Sequence, residues 1–593
     1  MIEKDLKEAT IKIFKEQFGA DITPELVTVG ITKKEHEGDY TIVVFPLVKF
    51  SKLGPEQTAN ALGEKLKEQT GFISAYNVIK GFLNLSLSDS YWLNRLQSIS
   101  GDGSFGVLPA NGQKVVLEYC GPNTNKPLHI GHVRNMLLGF SMSEILKAAG
   151  CNVTKVNIYN DRGITICQSM VAYKKWGNGS TPQSTGIKGD HFVGDWYVKF
   201  NQEAVEQIKQ LENAPAEKDD AKKLTPLFKE AQEMLLKWEA GDAETVALWK
   251  QMNAWVYEGF QQTFDLIGVD FQKDYYESNT YKLGKDIVEE GLQKGIFYKR
   301  KDGAVAVDLT PEGLDEKVLL RADGTSIYIT QDLATADLRH KEFGMDRMIY
   351  VVANEQDYHF KVLKLALQKL GKTWANGIYH LSYALVESPT GRFKSREGKT
   401  ADADDLINEV MRIAEEKTKE LGKIDDFTDA QKQELFHTIG LGALKFFVLR
   451  VNPFKKIIFN PEESIDFHGF TGPFIQYTHA RIRAVLRKAA EVTATDYSLF
   501  KDYNLSVEEK ELIKQLGEYE NTLRTAADKY DPSEMANYCY TLAKTYNKFY
   551  HEKPILTAAT EVEKKLRVAL TAETGRLIAK GMKLLGIEVP ERM

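Results

Sequence analysis

The sequence predicts a multidomain α/β protein built around a Rossmann-type, doubly wound domain, with an α+β module before it and an all-α helical bundle after it. Three observations predict this. Residues 111–403 alternate strand-like and helix-like patterns, as a parallel sheet with helical crossovers requires. Residues 1–110 combine one amphipathic helical run with short alternating strands. Residues 404–593 read as helix nearly to the end, with few strand signals. At 593 residues the chain is long enough to bury several cores.

In the first region Leu6, Ala9, Ile13 and Gln17 line a helix, with Phe14 and Phe18 beside them. The runs from Thr41 to Phe45 and from Phe82 to Leu87 alternate as strands do. A glycine-rich loop from Ile99 to Gly106 then separates this module from the next. In the second region the charged interval 201–240 reads as a solvated helical insertion. Trp249, Met252, Trp255, Val256, Phe260 and Phe264 follow at helical spacing, which predicts a core stripe rather than a stacking platform. In the third region Asp402 is placed to cap the first helix. Gln476 to Lys488 forms a basic helix with Tyr477 near its start. Such a face is solvated, or it tracks a phosphate backbone with the tyrosine stacking on a base.

Composition narrows the class. Hydrophobic residues make up 43% and charged residues 27%, ordinary for a globular chain. No apolar stretch reaches membrane-spanning length, and the charged start Met1-Ile-Glu-Lys-Asp-Leu-Lys-Glu is unlike a signal peptide. Cys120, Cys151, Cys167 and Cys539 show neither metal-ligand spacing nor a disulfide framework, so a reducing cytoplasm and no protein-held metal are expected. The net charge of −6 neither supports nor excludes a nucleic-acid partner, because an acidic binder must concentrate its Lys and Arg locally.

Chemistry is most legible where the strand-like Val115–Glu118 leads through a Gly/Pro/Asn-rich turn into Pro127-Leu-His-Ile-Gly-His132 and a helical pattern. A strand–turn–helix junction is an anion site, since free backbone N–H groups and the helix dipole both favour phosphate. His129 and His132 would set imidazole donors beside it, and Gly131 would let a nucleotide lie against the backbone. This arrangement suits attack at an α-phosphate, where charge builds on the phosphate oxygens.

The whole run Glu118-Tyr-Cys-Gly-Pro-Asn123-Thr-Asn-Lys126-Pro-Leu-His-Ile-Gly-His132 resembles the HIGH signature of class I aminoacyl-tRNA synthetases. Its Pro-Asn-x-x-Lys-Pro-Leu-His form resembles the arginyl-tRNA synthetase family, and the likeness runs through nearly the whole chain. The resemblance implies an N-terminal domain (1–110) contacting the tRNA corner at the D-loop, with Phe82 and Asn84 either facing bases or lying in a plain packed strand. It implies a catalytic domain at 111–403 and a helical anticodon-binding domain at 404–593. In the latter Tyr477, Arg481 and the terminal Met593 are the tRNA-side residues; the ending Val589-Pro-Glu-Arg-Met593 also resembles the family's.

The amino-acid pocket follows from a second cluster. Val318–Arg321 and Ser326–Thr330 flank Ala322-Asp-Gly324, a hairpin signal, and the second strand is expected to run into Tyr328-Ile-Thr-Gln-Asp332. Met348–Ala353 reads as a buried strand followed by Asn354-Glu-Gln356-Asp-Tyr-His359. Both polar groups are expected at strand C-termini, where open α/β sheets bind ligands. A guanidinium has only donors, so its pocket must supply acceptors. Glu118, Asn123, Tyr328, Asp332 and Gln356 match the family's arginine-binding positions. Asp332 and Tyr328 would face the guanidinium, and the other three the polar end of the amino acid. Local sequence alone leaves Asp332 open as a helix N-cap.

The second class I signature, KMSKS, is altered here to Gly391-Arg-Phe-Lys394-Ser395-Arg396-Glu-Gly-Lys-Thr400. The resemblance assigns Lys394 and Ser395 to ATP alongside His129, Gly131 and His132. It assigns Lys126 and Arg396 to the catalytic set, with Lys126 standing in for the missing lysine. The implied substrates are ATP with Mg²⁺, L-arginine and tRNA(Arg), in a cytoplasmic, monomeric enzyme whose activation step needs bound tRNA. Two rivals remain: a small-molecule nucleotidyltransferase and a catalytically silent RNA-binding relative.

Overall fold

The computed structural model describes residues 2–33, 35–210, 218–387, 402–422, 424–489 and 496–593. Two compact units form, and neither is one continuous stretch of sequence. One joins residues 1–105 to 485–518 and 544–575; the other holds 106–484, 519–543 and 576–593.

The first unit is built on an antiparallel sheet of β1 (Thr28–Ile31), β2 (Tyr40–Val43), β3 (Ile73–Ile79) and β4 (Phe82–Leu87), in the order β1-β2-β4-β3. Lys80 and Gly81 close the β3–β4 hairpin, both at positive φ (49° and 80°), as a turn matching the strand twist demands. Helices Ile2–Phe18 and Pro55–Thr70 belong to this layer. In the first helix the buried side chains are Ile2, Leu6, Thr10, Ile13 and Phe14, whereas Ala9 is half-buried and Gln17 exposed. Thr10 can face inward because its hydroxyl donates to the Leu6 carbonyl at 2.7 Å. The expected loop from Ile99 begins later, since Ser88 caps a helix running Asp89–Gly101. The C-terminal helical segments of this unit contribute Arg567, whose Nε donates to the fully buried Glu509 at 2.9 Å.

The second unit holds a five-stranded parallel sheet. Its strands are β5 (Lys114–Glu118), β6 (Asn152–Tyr159), β7 (Lys273–Tyr276), β11 (Arg347–Ala353) and β12 (Ile378–Tyr383). Their order is β12-β11-β5-β6-β7. The chain therefore winds outward from β5 to β7, then crosses back to β11, and the two halves part between β5 and β11. Ligands bind at such a switch point. Val115, Val116 and Leu117 in β5 and Met348 to Val351 in β11 are buried, the continuous apolar pattern of strands covered on both faces.

Three short strands, β8 (Phe297–Lys299), β9 (Val305–Val307) and β10 (Lys317–Leu320), make a separate antiparallel sheet. Here the expected hairpin is only partly formed. The Asp323-Gly324 turn exists, with Arg321 N–H donating to Thr325 O at 3.0 Å, but its second strand shrinks to one bridge between Leu320 and Ser326. β10 pairs with β9 instead, and a helix takes over at Tyr328, running to Phe343.

Helix Ala243–Ile267 buries Met252, Trp255, Val256, Phe260 and Phe264 as expected; Trp249 is half-buried, its Nε1–H donating to Asp161 O at 2.6 Å. The charged interval contributes the end of helix Gly189–Ile208, the short helix Lys218–Lys223 and all of helix Pro226–Glu239; residues 211–217 lie outside the described residues. Asp402 caps helix Ala403–Glu420, accepting from Asp405 N–H at 3.0 Å. Two-residue strands β13 (Val386–Glu387) and β14 (Ile457–Ile458) pair in parallel. Helix Gly472–Lys488 buries one face, with Ile475, Gln476, Thr478, His479 and Ile482 interior, and leaves Arg481 and Arg483 half-buried and Arg487 and Lys488 exposed. Gln476 donates to Thr438 O and Glu588 O, and His479 Nδ1 lies 3.0 Å from Pro590 O, so the C-terminal tail is tied to this helix. Among the described residues no helix is long and apolar enough to cross a membrane.

Candidate active site

A cavity of about 510 Å³ lies where β5 and β11 end. One wall is the start of helix Ile130–Ala148, with His129 as N-cap. Gly131 N–H donates to His129 Nδ1 at 3.1 Å, and His129 N–H donates to His132 Nδ1 at 3.1 Å. The two rings lie 3.9 Å apart. This reciprocal cap sets the tautomers. An Nδ1 that accepts a backbone N–H carries no proton, so a neutral ring must hold its proton on Nε2 and offer it as a donor. Burial and the nearby Lys126 charge lower the His129 pKa; burial, His129 and Lys126 hold His132 well below the usual imidazole value. Both rings are thus neutral donors at neutral pH. Gly131 has a further reason to be glycine: a Cβ there would sit 2.9 Å from His129 Cε1.

The turn between β5 and this helix is strained and held. Cys120 is buried at φ 80°, a conformation uncommon for a residue with a Cβ. Its N–H donates to Asn135 Oδ1 at 2.6 Å, and Gly121 N–H donates to Asn157 Oδ1 at 3.1 Å. Asn135 Nδ2 reaches Val351 O at 2.6 Å and Tyr383 Oη at 3.2 Å, so one side chain joins the turn to β11 and β12.

Asp332, Gln356 and His359 also line the cavity, with Asp332 Oδ2 2.6 Å from His359 Nε2. Asp332 is not a cap. Ile327 is the N-cap, and Asp332 lies a full turn inside the helix, which also corrects the expectation that it ends a strand. Gln356 does follow the C-terminus of β11. Glu118 lines the cavity and pairs with the fully buried Arg339, whose guanidinium lies 4.6 Å from the Tyr275 ring centre. Burial raises the Glu118 pKa, with Arg339 opposing it. A further carboxyl stands close by: burial, with the Asp161 and Asp332 charges adding to it, pushes Glu277 up to about 7 against the opposing pull of Arg162.

Other expected positions are not gathered here. Tyr328 begins its helix and is 76% exposed, outside the cavity wall, because helix replaces the strand that was to carry it inward. Asn123 is exposed; its backbone pairs with Asn160, and Asn160 lines the wall in its place. Lys126 is half-buried and not part of the wall, though its charge reaches both histidines. Asn84 corrects the expectation of a base-facing residue. It is 1% exposed, accepts from Thr41 Oγ1 at 2.6 Å and donates to Asn77 Oδ1 at 2.9 Å. Phe82 is exposed and packs edge-on against Phe45. Tyr477 is half-buried, with the Arg481 guanidinium 5.1 Å from its ring centre. Met593 is half-buried. Lys394, Ser395 and Arg396 lie outside the described residues.

Sequence reasoning missed several residues. His359 stands one helical turn from Gln356, a spacing that could have flagged it. Arg339 falls on the apolar stripe Ile329, Leu333, Ala336, where a charge signals a buried partner. Arg134, two residues past His132, gave no such signal. It is 0% exposed and donates to four carbonyls: Ala384, Leu385 (3.2 Å), Pro453 (3.0 Å) and Lys455 (2.9 Å). Among the described residues Asp190, His191 and Asp404 stand close enough to hold a cation. Lys188 Nζ, 2.6 Å from Asp404, already supplies the positive charge there.

Comparison with known proteins identifies the family. Residues 96–461 match tRNA synthetases class I (R), catalytic domain; residues 475–593 match the DALR anticodon binding domain; residues 1–87 match the arginyl tRNA synthetase N terminal domain. The chain is 51% identical to the arginine–tRNA ligase of Parabacteroides distasonis and 50% identical to that of Bacteroides thetaiotaomicron, covering 100% of both chains in each case. Among solved structures, Thermus thermophilus arginyl-tRNA synthetase superposes with a TM-score of 0.80 at 25% identity, again over 100% of each chain. Neutral histidine donors at a helix start, a carboxylate-bearing pocket beside them and matches along the whole length lead to one conclusion: the chain belongs to the class I arginyl-tRNA synthetase family, the arginine–tRNA ligases.

Proposed function

We propose that the cavity activates L-arginine with ATP and passes the arginyl group to the 3′-terminal adenosine of tRNA(Arg), with the roles divided as follows. The arginine carboxylate attacks the α-phosphorus, the bond to pyrophosphate breaks, and arginyl-adenylate forms. A ribose hydroxyl of the terminal adenosine then attacks the carbonyl, and AMP leaves. The reciprocal histidine cap is the observation that carries this reading. His129 and His132 offer Nε2–H donors beside a helix N-terminus, where charge develops on the α-phosphate. Lys126 is the cation that follows the charge onto pyrophosphate, a role supported by its electrostatic reach to both rings.

Asp332 faces the guanidinium, fixed by His359, and Glu277 is a second acceptor. A bound cation would favour its ionised form, opposing the burial that pushes its pKa up to about 7. Glu118, oriented by Arg339, and Gln356 take the polar end of arginine. Tyr328 and Asn123 join only if the segments carrying them close inward on binding. Mg²⁺ enters as the counter-ion of ATP, because the cavity carboxylates Glu118 and Asp332 already have partners. In this reading residues 1–110 contact the tRNA corner, 404–593 read the anticodon, and the enzyme works as a cytoplasmic monomer. Arginine-dependent ATP–pyrophosphate exchange, measured with and without tRNA(Arg), tests it. Exchange supported equally by other amino acids would defeat it.

A further inference from the structure

Next to the cavity the second unit presents a surface that the roles above leave unused. Leu385 and Val386 belong to the cavity wall, and Leu385 is also 45% exposed. Beside them lie Phe454 and Ile458, each 60% exposed. These segments are fixed to one another: Ala384 N–H donates to Pro453 O at 3.0 Å, Ile457 N–H to Leu385 O at 3.1 Å, and β13 pairs with β14. The buried Arg134 guanidinium adds a clamp, one nitrogen donating to Ala384 and Leu385 and the other to Pro453 and Lys455. A single side chain in the cavity wall thus sets where Phe454 stands relative to the reacting groups. Lys455 and Lys456, both exposed, follow the phenylalanine; Lys456 pairs with Glu387 at 2.6 Å, so among the described residues one lysine charge remains in excess.

Resting on the ligase reading above, we infer that Phe454 is a stacking platform for a base of the single-stranded 3′ end of the tRNA, with Lys455 and Lys456 on its phosphates. A rigidly held, exposed aromatic flanked by cations is what unpaired nucleotides select, since every base has a π-face and every linkage a charge. Continuity with the cavity chooses the 3′ end over any other part of the tRNA. That end alone must reach an adenylate held between β5 and β11. An acidic or purely apolar partner would match only half of this surface.

The test uses the full-length enzyme with intact tRNA(Arg) and with the same tRNA lacking its 3′-terminal nucleotides. Phe454→Ala should lower kcat/KM for tRNA about tenfold, the loss expected for one stacked base, while Phe454→Trp stays near wild type. In direct binding, wild type should prefer intact tRNA over truncated, and Phe454→Ala should bind the two alike. Lys455→Glu should weaken intact tRNA more than truncated tRNA. Phe454→Ala with kcat/KM for tRNA within about twofold of wild type, or with the preference for intact tRNA retained, overturns the inference. Absence of aminoacylation by wild type would instead sink the ligase reading itself, so the two failures are separable.

Discussion

His132 decides the pH behaviour of the first step, because only its neutral form can accept the His129 N–H on Nδ1 and donate from Nε2. Both rings have lowered pKa values, so protonation must wait for a pH below the usual imidazole range. Pyrophosphate exchange should therefore hold level from pH 8 down past about 6.5, where a free histidine would be half charged. Lys126→Gln removes a cation that depresses both rings. Its pH profile should show a lower plateau and an acid limb moved to higher pH; an unmoved limb would take Lys126 away from the histidines. Removing the His132 side chain (His132→Ala) should cost about two to three decades in exchange rate, with arginine binding little changed. At the other end of the cavity Asp332→Asn keeps shape but loses the charge and adds a donor opposite a guanidinium. Leaving a buried cation unpaired costs about 2–5 kcal/mol, so the arginine KM should rise about 30-fold or more while the ATP KM stays put. A silent Asp332→Asn would dissolve the pocket assignment, since helix capping is no longer available as its explanation.

Among elements, the first unit depends on an ion pair rather than on apolar packing alone. Glu509 is 0% exposed and accepts from Arg567 Nε at 2.9 Å and from Ser506 N–H at 2.9 Å, so one carboxylate closes a helix cap and neutralises a buried guanidinium. Glu509→Ala should destabilise this unit by about 1–3 kcal/mol, because Arg567 loses its nearest counter-charge and keeps the longer contact to Glu563 at 3.4 Å. Thermal unfolding read alongside arginine-dependent exchange checks the prediction: a lower melting transition is expected, and an unchanged one would refute it. The signature helix makes the complementary point. Its start could be read from the chain, yet the Arg134 clamp on four carbonyls from two distant segments could not, since no spacing in sequence announces acceptors more than two hundred residues away.

For the whole molecule the net charge of −6 sets tRNA apart from the small substrates. A polyanion must be held by local clusters of Lys and Arg, and counter-ion release makes such binding fall steeply with salt. The KM for tRNA should accordingly climb several-fold between about 50 and 200 mM salt, while that for arginine, held in a partly enclosed site, changes far less. Equal salt sensitivity of the two would contradict a tRNA-scale electrostatic interface.

What the sequence by itself determined is local and chemical. The HIGH-like turn, its two histidines and the helix behind them follow from residues within one short window, where strand, turn and cap signals agree. The buried runs of β5 and β11 were equally plain, since strands covered on both faces need continuous apolar side chains. Tertiary structure decided the rest, because those outcomes depend on what a residue meets across the fold. Asn84 reads as a polar strand residue fit for RNA until Thr41 and Asn77 satisfy it in the interior. Ser326–Thr330 reads as a strand until β9 takes the β10 edge and leaves those residues to a bridge and a helix start, which turns Tyr328 outward. Arg339 finds Glu118, and Asp332 finds His359, only when the helix Tyr328–Phe343 comes to the ends of β5 and β11. Periodicity reports which face of an element is buried; partnership between charges depends on distances that only the folded chain sets.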